Sequence, residues 1–208
     1  MESMLMIDGG FFKKKFKTTY KRPVSVEETV EFASNLMESL GFKKASYRTY
    51  YYDCPPNNET TKLAVSKDPY NFGDSPGYKK MYQFIQDLKR QDFFAVREGV
   101  LVFKGWNLKP KVTKEPKLGN ITDDSFTPFL QQKGVDTKIG LDIAWASYEK
   151  ITQNIVLVTG DSDFAPAMKT ARRNGVFVYL YTLGHGVMSQ ILDNADMLNT
   201  SSIRNFIN

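Results

Sequence analysis

Three apolar runs constrain this chain most: Met4 to Ile7, Ile155 to Val158 and Val176 to Tyr181. None of them alternates with polar residues. A strand with one face in water alternates, whereas a strand covered on both faces does not. Helical spacing fills much of the chain between them. It shows in Phe32, Leu36 and Leu40 after a Ser25/Glu28 capping box, in Met81, Ile85 and Leu88, and in Ile139, Ile143 and Ala146. A further helix is expected from Phe164 to Arg173, and a short one from Val187 to Asn194. Tyr47 to Tyr52 reads as another strand, Phe93 to Phe103 as two short strands turning around Arg97-Glu98-Gly99, and Met197-Leu198 as an edge strand. Strands alternating with helices predict an α/β chain, a three-layer α/β/α sandwich around a central, mainly parallel sheet. At 208 residues, one domain over residues 1–208 is expected. It carries a loop-helix insertion around 54–92 and an exposed basic connection around 104–133. Gly9 and Gly10 are expected to break the chain after the first strand.

Composition narrows the chemistry. A single cysteine, Cys54, and a single histidine, His185, exclude a disulfide framework, a thiolate-rich or multi-histidine zinc site, and a two-histidine ribonuclease mechanism. Cys54 is expected to be inert, and His185, between two glycines, to be a loop residue. No apolar run approaches the ~18 residues that a membrane span needs. The first residues are too short and too acidic for a signal peptide, so the expected setting is a reducing cytoplasm. The formal charge of +5 permits a polyanionic partner without requiring one.

In parallel sheets, functional residues gather at the carboxyl edge of the strands. Asp8 ends the first apolar run. Asp161 and Asp163 follow the run ending at Val158, and Asp136 stands at the start of a helix. If these four carboxylates converge within ~5 Å, each like-charged pair repels by roughly 3 kcal/mol at an effective dielectric near 20. They must then protonate, recruit lysines or bind a hard divalent cation, magnesium or manganese. Plainer roles compete with that one. Asp8 could be a turn residue, and Asp136 and Asp163 could be helix caps. Asp142 is about 240° around the helix from Asp136, which leaves it a supporting or a surface role. Ser162 and Thr137 are further candidates for support behind the ligands.

Lys133, three residues before Asp136, and Lys13, Lys14 and Lys15, just after Asp8, are candidate phosphate contacts; their alternative is a solvated surface. The lysines at 104, 109, 111, 114 and 117 have a weaker case. Tyr50, Tyr51 and Tyr52 fit a buried strand better than a base-stacking platform.

Three blocks in this order carry a family resemblance: Ile7-Asp8-Gly9-Gly10-Phe11-Phe12, Gln132-Lys133-Gly134-Val135-Asp136-Thr137 and Val158-Thr159-Gly160-Asp161-Ser162-Asp163-Phe164. With Ile139 to Ala144 and Arg48 to Pro55, they resemble the LabA-like branch of the NYN-domain family, within the PIN-like nuclease group. The resemblance implies a PIN-like, Rossmann-like sandwich. It also implies an acidic pocket for magnesium or manganese built by Asp8, Asp136, Asp161 and Asp163, and hydrolysis of phosphodiester bonds, most often in RNA, leaving 5′-phosphate and 3′-hydroxyl ends. Single-stranded DNA is the alternative substrate, no membrane partner is expected, and a homo-oligomer stays open. The chain has Gly10 and Phe11 where many NYN proteins carry Asn, a departure that bears on catalysis and not on fold.

The main rival is a nucleic-acid-binding or regulatory module of the same fold with weak or no catalysis. A haloacid-dehalogenase-like phosphatase fits poorly: Thr-Gly-Asp-Ser-Asp faintly resembles its metal motif, but Asp8 is followed by Gly-Gly and not by a second acid two residues on. No glycine-rich phosphate loop is present.

Overall fold

The structure is a computed structural model that describes residues 2–114, 121–186 and 189–207. The side chains at 113, 114, 189 and 190 lie outside this description, as do Lys117 and the expected helix start at Val187. In chain order the elements are β1 (Ser3–Asp8), α1 (Gly9–Tyr20), α2 (Val26–Ser39), β2 (Tyr47–Asp53), β3 (Thr60–Lys62), β4 (Pro69–Asn71), α3 (Pro76–Lys89), β5 (Phe94–Glu98), β6 (Val100–Leu108), α4 (Pro110–Lys114), β7 (Phe126–Lys133), α5 (Val135–Tyr148), β8 (Asn154–Val158), α6 (Ala165–Arg173), β9 (Phe177–Tyr181), α7 (Ser189–Leu192) and β10 (Met197–Asn199).

The main sheet has six strands in the order β10-β9-β8-β1-β2-β5, and every pairing in it is parallel. Alternate residues of each strand feed opposite layers. Leu5, Ile7, Tyr51, Val156 and Val158 pack with Phe12 and Phe16 of α1 and Phe32 and Leu36 of α2. Met4, Met6, Tyr52, Ile155 and Leu157 pack with Ile139 and Ile143 of α5 and Met168 and Ala171 of α6. Both faces are therefore covered, which is why the apolar runs show no polar alternation. Among the described residues, no helix is long and apolar enough to cross a membrane.

The order places β1 at the centre. The chain runs outward through β2 and β5 on one side, and through β8, β9 and β10 on the other. The strand order reverses between β1 and β8, and in open α/β sheets that crevice, beyond the carboxyl ends, is where ligands bind. Asp8 and Asp161 border it.

Three segments differ from expectation. Gly9 and Gly10 do not break the chain into a loop; α1 begins at Gly9, and the basic stretch from Lys13 lies mostly on that helix. Its inward residues are Gly9, Phe12 and Phe16, a helical spacing hidden by the intervening lysines. Gly9 is required by close approach: a Cβ there would stand 2.7 Å from both the Tyr51 ring and the Tyr52 carbonyl oxygen. The connection expected around 104–133 contains an antiparallel ribbon, with β6 paired to β7 from Val100↔Lys133 to Leu108↔Phe126. Phe103 and Trp106 of the ribbon pack against Tyr70 and Phe72, and β6 carries the strand expected to end at Phe103 on to Leu108. The stretch from Pro55 to Gly77, expected to be mostly loop, holds the small β3–β4 ribbon.

Candidate functional site

Asp8 closes β1 and opens α1. Its Oδ1 accepts a hydrogen bond from the Phe11 amide at 3.0 Å, so the turn role and the acidic role coincide in one residue. Its Oδ2 accepts from the Thr159 hydroxyl at 3.3 Å. The same hydroxyl accepts the Asp161 amide at 3.2 Å. The Thr159 hydroxyl thus ties the Asp8 carboxylate to the backbone of Asp161, a residue from a distant part of the chain. Asp161 caps the short turn that precedes α6, its Oδ1 accepting the Asp163 amide at 2.9 Å. Capping by Asp161, and not by Asp163, leaves the Asp163 side chain exposed. Asp136 stands in the first turn of α5, whose N-cap is Gly134 with φ 79°; Asp136 is not the cap.

The charges of these groups act on one another. Burial pushes the Asp8 carboxyl above its usual range, the Phe11 amide pulls it back, and the charges of Asp136 and Asp53 raise it further. Asp136 is raised by burial first, then by the charges of Asp161 and Asp163. A carboxyl whose folded value is raised holds its proton in the native state after the unfolded chain has lost it. Its contribution to stability is therefore full below the ordinary aspartate value near 3.9 and falls as pH rises through the raised value. At neutral pH both groups work against the fold, and a cation bound between them reverses that sign.

Among the described residues, no three His, Cys, Asp or Glu side chains stand close enough to cage one metal ion. Magnesium needs no such cage, because it keeps several waters and binds through one or two carboxylates plus substrate phosphates. The donor set fits such an ion in chemistry: all oxygen, mutually repelling, and placed at the switch point of the sheet. As the side chains stand, Asp8 with one of Asp136, Asp161 and Asp163 would hold it, water supplying the remaining positions.

One acid of this edge was not among the sequence candidates. Asp53 ends β2 and is fully buried. Its Oδ1 accepts the Cys54 amide at 2.8 Å and lies 3.4 Å from the Gln132 side-chain nitrogen. Its Oδ2 lies 2.6 Å from Lys13 Nζ, a close charge contact without the alignment of a hydrogen bond. The signal was available, since β2 ends in an acid just as β1 does. Gln132 was likewise missed; it reaches toward Gly10, where a Cβ would stand 3.1 Å from Gln132 Oε1 and 3.4 Å from Asp8 Oδ1.

The lysines separate into different roles. Lys13 is the counter-ion of Asp53 and also touches Met81 Sδ at 3.8 Å. Lys14 is exposed. Lys15 lies over the Phe11 ring at 5.8 Å, and its ammonium is lowered by burial and by Lys14. Phe11 in turn packs edge-on against His185, and a Cβ on Gly160 would stand 2.6 Å from both rings. Lys15, Phe11 and His185 therefore form the rim on the Asp161 side. Lys133 is exposed at the end of β7. Ser162 is half-buried in the turn after Asp161, and Thr137 is exposed in the first turn of α5.

Asp142 stands apart from the acids. It takes a two-point ion pair from Arg97, with Nε to Oδ2 and Nη2 to Oδ1 both 2.9 Å, and the Tyr52 hydroxyl donates to its Oδ2 at 2.9 Å. Tyr51 and Tyr52 are fully buried and Tyr50 nearly so, so no stacking platform exists there. Cys54 is buried, its thiol raised chiefly by burial. Asp142→Asn is expected to cost about 1 kcal/mol in a thermal or denaturant melt, since Arg97 is partly solvated. It should leave any cleavage by the acidic site unchanged.

A parallel α/β/α sheet with acids collected at its switch point defines a class of PIN-like folds. The family model of the NYN domain matches residues 72–200, more than half of the chain. The chain belongs to the NYN domain family, whose fold is generally nuclease-like. Asp136, Asp161 and Asp163 lie inside the matched segment, while Asp8 and Asp53 precede it and join through β1 and β2. A solved structure of a protein of unknown function from Vibrio parahaemolyticus is similar at 13% identity with a TM-score of 0.51, covering 100% of this chain and 96% of that one. That likeness concerns the fold alone. No curated protein matches the chain.

Proposed function

We propose that this chain is a divalent-metal-dependent nuclease of the LabA-like branch, acting on single-stranded RNA, with single-stranded DNA as a lesser substrate. The observation that supports the reading is the tie from the Asp8 carboxylate through the Thr159 hydroxyl to the Asp161 backbone amide at the switch point, beside an Asp136 whose charge Asp161 and Asp163 disfavour. A magnesium or manganese ion, when bound, supplies a water of lowered pKa and offsets charge on the phosphate. The chain's own residues do the rest. Phe11 and Thr159 fix both oxygens of Asp8. Asp161 holds its turn by accepting the Asp163 amide with one oxygen, Oδ1. Lys14, Lys15 and Lys133 contact phosphates, which makes binding salt-dependent and indifferent to sequence.

The test is incubation of the full chain with labelled single-stranded RNA and manganese, with and without chelator. Cleavage abolished by chelator and by Asp161→Asn supports the reading. Cleavage that survives in Asp161→Asn comes from a contaminant and defeats it. RNA binding without cleavage favours a regulatory module of the same fold.

A further inference from the structure

Helix α5 is apolar on two sides. Its inner side, with Val135, Ile139, Ile143 and Ala146, is buried in the core. Its outer side carries Leu141, Trp145 and Tyr148, which are 62%, 48% and 66% exposed. At helical spacing these three fall within about 60° of one another, and Ala144 flanks them. A surface helix ordinarily turns polar residues to water. A stripe of large apolar side chains rimmed by charge marks a contact with another surface.

The charges beside the stripe indicate what that surface is. Lys138 and Glu149 lie on one edge of it, about 20° apart around the axis and about 16 Å apart along it, one at each end. Asp142, between them, is already closed by Arg97. Lys138 gives one proton to the Glu98 carbonyl at 2.6 Å and keeps two others to donate; Glu149 is exposed. When two identical helices pair antiparallel about a twofold axis, the same edge of each meets and the two ends exchange places. Lys138 of one copy then faces the partner's Glu149, twice over. Leu141 of one copy meets the partner's Tyr148, and the two Trp145 side chains come together near the axis. A parallel pair would set lysine beside lysine and glutamate beside glutamate, the arrangement that flanking charges select against.

We propose that the outer side of α5 docks a second copy of this chain, antiparallel, in a twofold dimer. Area sets its strength. The 14 residues of α5 span about 21 Å, and one helix face of that length falls short of the roughly 800 Å² a side that a standard interface buries. The dimer is therefore weak, with dissociation in the micromolar range. It does not depend on the nuclease reading, because Asp136 lies about 140° around α5 from Leu141.

Sedimentation equilibrium of the full chain from about 1 to 300 µM tests the proposal. The weight-average mass is expected to rise from 23.8 kDa toward twice that value. Trp145→Glu, or Leu141→Lys should the first variant melt early, is expected to weaken the dimer about a hundredfold or more and leave monomer throughout. Lys138→Glu is expected to weaken it about tenfold, and Lys138→Glu/Glu149→Lys to restore it. A mass that stays at 23.8 kDa over the whole range overturns the proposal and leaves the face to a different protein. A dimer that survives both apolar-face variants, or one that Lys138→Glu leaves unchanged, overturns it as well, because the copies then meet elsewhere or in another register.

Discussion

Asp8→Asn is expected to lower manganese-dependent RNA cleavage about a hundredfold to a thousandfold while the protein melts no lower than the parent at neutral pH. The two halves follow from one environment. Asp8 is raised by burial and by Asp136 and Asp53, so its ionised form is a liability to the fold above the ordinary aspartate range. Asn keeps the Oδ1 that accepts the Phe11 amide and is as good an N-cap as Asp, so α1 retains its start. What Asn lacks is the charge that would draw a cation to the crevice. Melting in the absence of divalent ions, from pH near 4 upward, should show the parent losing stability relative to the variant. A variant that melts well below the parent at neutral pH, or that still cleaves, contradicts this account of Asp8.

Lys13→Met is expected to cost about 3 kcal/mol of stability, because it strands the fully buried Asp53 without its counter-ion. For a chain of this size that corresponds to a fall of roughly 6–12 °C in melting temperature. Most of the loss should return in Lys13→Met/Asp53→Asn, where the uncompensated charge is gone. The sequence marks Lys13 as one of several basic residues near the first acid; its neighbours Lys14 and Lys15 carry no comparable burden. A loss under about 1 kcal/mol, or no recovery in the double variant, shows that Asp53 finds other compensation.

The main sheet was legible because both its faces are covered: Met4 to Ile7 and Ile155 to Val158 are short unbroken apolar runs closed by Asp-Gly-Gly and Thr-Gly-Asp, the pattern of buried strands. The acids at Asp8 and Asp161 were legible through the same fact, since a parallel sheet fixes which end of each strand faces the crevice. Asp53 obeys the same rule yet was passed over, because the Asp-Cys-Pro-Pro that follows Tyr52 reads as the start of a loop. Helix α1 was hidden because its first turn is Gly-Gly and its surface is lysine, which left only Phe12 and Phe16 to carry the period. The β6–β7 ribbon was legible only in part: β6 begins within the strand expected up to Phe103, but its continuation through Lys104-Gly105 and its partner β7, with Pro128 inside it and Gln-Gln-Lys at its end, read as a connection. Asp142 was placed correctly apart from Asp136 by helical geometry, but its partners Arg97 and Tyr52 come from other strands and leave no trace in local spacing.

The central claim is that Asp8 and at least one of Asp136, Asp161 and Asp163 share a cation. Crystals soaked in manganese and measured at its absorption edge test it directly. The expected result is an anomalous peak in contact with an oxygen of Asp8 and an oxygen of at least one of the other three, at about 2.0–2.2 Å. A crevice with no peak at saturating manganese, or ions bound only elsewhere on the surface, contradicts it.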